Sequence, residues 1–272
     1  MVMIAAWMGH WQEYAMEAAL LALFMVSACV SVAIVEHPSS WVRGRVGSAV
    51  ARRLLIGLAM GATAVMLISS PWGARSGAHM NPATTLAFLT LGRIAPADAA
   101  GYVVAQCAGG IAAVWACAIA MPGVVRHPAV GCVVTAPREG RGGRRRAWAA
   151  EYAMSTGMML TGLVLSNSPR WAWATQYAVG LLLAAFITIA APVSGMSINP
   201  ARTLASAVPS RVFRAVWIYV TAPVLGMVSA AGAYAATAGP TAVACGKLNH
   251  AGSHRCIFRC DVVEGGVRDP GR

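Results

Sequence analysis

Two stretches hold the residue types from which this chain could build a site. One reads Gly77-Ala78-His79-Met80-Asn81-Pro82-Ala83-Thr84-Thr85, the other Gly195-Met196-Ser197-Ile198-Asn199-Pro200-Ala201-Arg202-Thr203. Asn caps helices well and Pro suits the first helical position, so each Asn-Pro-Ala triplet predicts a helix start. Such a start carries about half a positive charge and unpaired N–H groups. The chemistry on offer is hydrogen-bond donation and cation repulsion, to which Arg202 adds a full charge. A third group, Cys245, His250, His254, Cys256 and Cys260, lies near the C-terminus. Cys and His so close together can hold Zn²⁺ tetrahedrally, although the spacing matches no standard finger. The rival reading is a basic tail with incidental Cys and His. No other cofactor is expected. There is no nucleotide-binding loop, no pair of catalytic carboxylates and no Ser-His-Asp arrangement, so no enzyme is expected.

The elements that must position these residues are apolar. Of 272 residues 58% are hydrophobic and 11% charged, a composition that fits a polytopic membrane protein and not a soluble core. Spans are predicted at 15–35, 54–70, 101–121, 149–166, 172–192 and 213–236, each long enough to cross a bilayer. The helix that follows the first triplet, 82–91, is about 15 Å long, half a membrane. A half-helix at that depth is tolerated only when buried in protein or lining a cavity. Each half of the chain reads as a Glu-bearing span (Glu17, Glu151), a span, a half-helix and a span. Three spans is an odd number, so the second half enters from the opposite side and the half-helices meet near the midplane. The predicted fold is an all-α polytopic membrane protein of six transmembrane helices plus two re-entrant half-helices in an inverted repeat.

That geometry gives the triplets a use. Asn81 and Asn199 can offer side-chain amides to a lumen, replacing part of the hydration of a passing water or hydroxyl, while the helix dipoles repel cations and disfavour a proton wire. A charge in a membrane loop is costly unless it faces a water-filled path, which places Arg202 there. The net charge of +12 lies between apolar runs and fits an anionic lipid surface better than nucleic acid. The basic run 138–146 reads as a solvated or lipid-facing loop. Cys29, Cys107 and Cys117 read as inert thiols within spans, and no pattern demands a disulfide. The first apolar run reads as a retained span and not a signal peptide.

The paired triplets, each after an apolar run and the second followed by Arg, resemble the aquaporin or major intrinsic protein family over roughly residues 10–237. Tyr102 to Gly110 looks like that family's third helix. The resemblance implies a channel domain at 10–237, with repeats at about 10–121 and 148–237; the Cys- and His-containing basic tail at 238–272 lies outside it. It implies a bacterial-type passive channel for water and small uncharged solutes, a homotetramer with one pore per protomer, multi-pass in a lipid bilayer, with a bacterial inner or plasma membrane as the expected location.

Residue roles follow from the same resemblance. Glu17 and Glu151 match carboxylates that brace the re-entrant loops; the plainer reading of Glu17 is an interfacial residue at a span end. His79 matches a loop His and is read as a satisfied structural group, not a proton carrier. Arg202 falls at the narrowest constriction. Ile187 stands where strict water channels usually have His, Met196 where many have a small residue, and the aromatic position falls on Met60 or Gly61. Met196 also predicts no mercury block at that site. Thr203 and Ala207 stand where glycerol channels tend to have Asp and Lys, which favours the water side. Arg75 faces either the pore mouth or the headgroups.

Orientation has two indicators. Connections after spans one, three and five hold 13 Lys and Arg, and the other side holds 8. The positive-inside rule would put the first group in the cytoplasm. The resemblance puts the termini there instead, and that is the expectation retained. Two rivals remain: a structural or signalling membrane protein of the same fold, and a gradient-coupled transporter, for which Glu17 and Glu151 are the only acidic candidates within the spans.

Overall fold

The computed structural model describes residues 2–239, 241–249, 255–263 and 266–267. Six long helices are α1 (Val2–Glu36), α2 (Ala49–Ser69), α4 (Pro96–Ala120), α5 (Gly143–Ser166), α6 (Thr175–Ser194) and α8 (Val216–Ala238). The half-helices are α3 (Pro82–Thr90) and α7 (Pro200–Ser210), and shorter helical segments, Trp41–Arg45, Pro71–Ser76 and Pro122–Val125, lie in the connections. A two-residue antiparallel pair, Val262–Val263 with Gly266–Val267, lies near the C-terminus.

Five of the long helices, all but α5, are apolar enough to cross a membrane. With 24 residues α5 is long enough, but it opens on Arg144, Arg145 and Arg146 and carries Glu151. Several helices begin earlier than the apolar runs predict. The first starts near the N-terminus instead of at residue 15, and its 35 residues make it about 50 Å long. The second starts at Ala49, where the Ser48 side chain accepts from Ala51 N–H. Hydropathy marks where a helix enters hydrocarbon, whereas the helix itself continues into the headgroup region. As a result Glu17 lies near the middle of α1 and is fully buried, not interfacial.

The packing repeats between halves. The first helix lies against α4 as α5 lies against α8, and α2 meets α6 between the halves. Each half-helix packs on the last helix of the other half, α3 on α8 and α7 on α4. Close crossings fix these pairs. A Cβ on Gly109 would stand 2.2 Å from the Ala18 carbonyl, and one on Gly226 would stand 2.6 Å from that of Tyr152. Ala18 and Tyr152 each follow a loop-facing glutamate, Glu17 or Glu151. The tight crossing therefore sets how far each carboxylate reaches toward its loop.

Candidate functional site

Both re-entrant loops adopt one unusual backbone. Gly77, Ala78 and Met80 have positive φ angles of 89°, 52° and 48°; Gly195, Met196 and Ile198 have 80°, 50° and 49°. A non-glycine residue in this region costs about 1–2 kcal/mol, so the surroundings must hold it. The carboxylates do so. The Glu17 carboxylate accepts from His79 N–H at 3.0 Å, Met80 N–H at 2.6 Å, Ser76 Oγ at 2.8 Å and Gln106 Nε2 at 2.7 Å. The Glu151 carboxylate accepts from Ser197 N–H at 2.9 Å, Ile198 N–H at 2.6 Å and Ser194 Oγ at 2.6 Å. A tyrosine hydroxyl closes each loop from behind: Tyr102 donates to the Ser76 carbonyl at 2.6 Å, and Tyr219 donates to that of Ser194.

At the centre the two triplets brace one another. Asn81 caps α3 through its side-chain oxygen, which accepts from Ala83 N–H at 2.9 Å. Its amide nitrogen donates to the Ile198 carbonyl of the other loop at 2.8 Å. Asn199 does the same in reverse: its oxygen accepts from Arg202 N–H at 3.2 Å, and its nitrogen donates to the Met80 carbonyl at 2.7 Å. The sequence predicts both the helix caps and amides offered to a lumen, and the structure divides each side chain between these uses and a tie to the opposite loop. The oxygen caps, one N–H ties the loops together, and the second N–H of each amide remains for a solute.

A cavity of about 300 Å³ runs past both triplets. That is many times the roughly 10–15 Å³ needed to hold one water. Asn81, Asn199 and Arg202 supply polar groups, set among Met60, Ile187, Met196, Leu183 and Ile198. The Arg202 guanidinium donates to the Val133 carbonyl at 2.9 Å, fixing its position at one end.

A model of the major intrinsic protein family matches residues 7–234. The chain belongs to this family. It is 31% identical over 213 residues to aquaporin NIP6-1 of Arabidopsis thaliana, covering 78% of this chain and 64% of that protein. It is 34% identical over 185 residues to the probable aquaporin NIP5-1 of the same plant, covering 68% and 58%. The chain thus spans about three fifths of the length of these relatives. In fold it is similar to the aquaglyceroporin from Plasmodium falciparum, with a TM-score of 0.69 at 17% identity, covering 86% of this chain and 98% of that one.

Within this major intrinsic protein, four of the five positions expected at the constriction, Met60, Ile187, Met196 and Arg202, border the cavity. Gly61 does not. A Cβ there would stand 2.4 Å from the Gly180 carbonyl, so Gly61 faces α6 as a contact between helices. Arg75 does not face the pore either: its Nε donates to buried Glu13 at 2.9 Å and its Nη2 to Gln12. His79 is fully engaged. Its Nε2 meets the Gly246 carbonyl at 2.7 Å and must carry the proton, and its Nδ1 meets Thr85 Oγ1 at 3.0 Å.

The carboxylates Glu17 and Glu151 are not the only acids inside. Glu13 and Asp98 are also buried; Asp98 accepts from Tyr14 at 2.6 Å and lies 2.7 Å from His10 Nδ1. Among the tail residues, Cys245, Cys256 and Cys260 come together, while His250 and His254 lie outside the described residues. The tail touches the channel body, and Leu248 borders the cavity.

Sequence reasoning missed a serine pair, a tyrosine pair, Arg53 and Leu248. Ser76 and Ser194 stand five positions before their Asn, and Tyr102 and Tyr219 occupy matching places in the last helix of each half. Aligning the halves would have found both pairs. Arg53 borders the cavity and donates to the Thr188 carbonyl at 3.0 Å. It was hidden because α2 starts earlier than its apolar run. Leu248 had no local signal at all.

Proposed function

We propose that this chain is a passive channel that conducts water, together with small uncharged solutes, and excludes ions and protons. The observation that carries the reading is the pair of cross-braced Asn side chains, each at the start of a half-helix, bordering one cavity with Arg202. A solute that accepts hydrogen bonds gains two donors there, and a cation meets two helix N-termini and a guanidinium. Asn81-Pro82-Ala83 and Asn199-Pro200-Ala201 are the central donors; Met60, Ile187, Met196 and Arg202 form the selectivity filter; Glu17, Glu151 and His79 hold the loops. The relatives' names, aquaporin and aquaglyceroporin, support the same class. Saturation of Glu17 and Glu151 by loop donors argues against a gradient-coupled transporter built on them.

The filter supports breadth as well as water. Three of its four side chains are Met60, Ile187 and Met196, with a guanidinium as the single charged donor. We propose the family's homotetramer, its exposed apolar helix faces meeting neighbours or lipid, with the termini in the cytoplasm. The multi-pass protein lies in a membrane, for which a plasma membrane is the proposed location; the aquaporins named above are from a plant and lend no weight to a bacterial inner membrane.

Solute range is tested by stopped-flow light scattering on proteoliposomes given a glycerol jump. Fast shrinkage followed by re-swelling several times faster than in empty liposomes is expected from the apolar filter. Fast shrinkage with re-swelling at the empty-liposome rate would restrict the channel to water.

A further inference from the structure

The segment after α8 turns back onto the first re-entrant loop, beside the cavity. Leu248 N–H donates to the Gly77 carbonyl at 3.3 Å, and the Gly246 carbonyl accepts from His79 at 2.7 Å. Phe258 packs on the His79 ring at 5.3 Å and on Tyr102 at 6.1 Å. Leu248 itself borders the cavity, 3.6 Å from where a Cβ on Gly162 would stand. A coil segment laid beside a cavity needs something to hold it, because it has few intrahelical or ladder hydrogen bonds of its own.

Three sulfurs lie where that hold is needed. The Sγ atoms of Cys245, Cys256 and Cys260 all fall within 4.8 Å of one another. Those of Cys245 and Cys256 are 3.6 Å apart, far beyond a disulfide bond of about 2.05 Å. Four ligands around a Zn²⁺ at about 2.3 Å place sulfurs roughly 3.8 Å apart, so this cluster has the dimensions of a thiolate metal site. It joins the strand of chain that carries Leu248 to the one that carries Phe258. The sequence between them includes His250 and His254, which lie outside the described residues and are candidates for a fourth ligand by sequence alone.

We propose that Cys245, Cys256 and Cys260 form a thiolate site for a thiophilic divalent cation of the Zn²⁺ class, and that the bound metal staples the C-terminal segment onto the first re-entrant loop, beside the cavity. Each thiol loses its proton to solvent on binding, so no oxidant or reductant is needed. Only the consequence for flux rests on the channel reading; the metal site and the order it imposes do not.

The test uses the full chain, reduced, stripped of metal and titrated with Co²⁺, then with Zn²⁺. A thiolate-to-cobalt charge-transfer band that saturates at about one ion per chain and is abolished by Zn²⁺ is expected. Cys256→Ser and Cys260→Ser, made separately so that one misfolded variant does not decide the matter, should each weaken binding at least tenfold. Cys107→Ser, within α4, should bind as the parent does. Hydrogen exchange at Ala244 to Asn249 should slow at least tenfold when Zn²⁺ is added. No cobalt band, equal binding by both serine variants, or exchange indifferent to Zn²⁺ would each overturn the proposal. Metal binding and ordering, with no water flux even after the metal is chelated away, would instead count against the channel reading and leave the site standing.

Discussion

Glu151→Ala is expected to lower the thermal midpoint of the purified protein by about 10–20 °C. The Glu151 carboxylate accepts three hydrogen bonds, two of them from the N–H groups of Ser197 and Ile198. Hydrogen bonds to a charged group contribute about 1.5–3 kcal/mol each, and buried donors left without a partner add their own cost. A loss of about 5 kcal/mol follows, and a chain of this size shifts its midpoint by about 2–4 °C per kcal/mol. The left-handed residues Met196 and Ile198 would then lose the group that holds them. Glu17→Ala should cost at least as much, because Glu17 also accepts from Gln106. Glu151→Gln keeps a carbonyl oxygen for one N–H and should fall between. Midpoints read by size-exclusion after heating check the series. An alanine variant as stable as the parent would mean that the loops hold themselves.

Arg202→Val is expected to raise cation conductance at least about tenfold while leaving water flux within about threefold. The guanidinium borders the cavity and is fixed to the Val133 carbonyl at 2.9 Å. At an effective dielectric of about 20, two unit charges 4 Å apart repel by about 4 kcal/mol, an upper bound near a thousandfold. The half-helix dipoles remain in the variant, so the full factor is not expected. The contrast is read with a membrane-potential dye on proteoliposomes treated with a metal chelator, beside an osmotic assay on the same vesicles. Unchanged cation conductance would assign exclusion to the Asn81 and Asn199 region alone.

Much of this arrangement was legible because it is local. A helix start has its own chemistry, and the parity of spans dictates an inverted repeat whatever the side chains do. What escaped depended on rotation or on distance along the chain. Met60 and Gly61 differ by about 100° around α2, so the same spacing argument could not separate a cavity residue from a contact with Gly180. Arg75 was assigned by its place in a loop, yet its partner, Glu13, lies on another helix. Asp98 hides in the first turn of α4, where an acid reads as a helix-start residue, although it is buried against Tyr14. Leu248 reaches the cavity from an irregular segment, which has no period to read.

The central claim is that the cavity between Asn81 and Asn199 is the path. The most direct test is the rate of osmotic shrinkage in a sucrose jump, with chelator present, for proteoliposomes holding the full chain or its Ile187→Trp variant. Ile187 borders the cavity, and an indole there would obstruct the path at that level. The full chain should shrink several times faster than empty liposomes, and the Trp variant should return most of the way to the empty rate. A full chain no faster than empty liposomes, or a Trp variant as fast as its parent, would contradict the path described here.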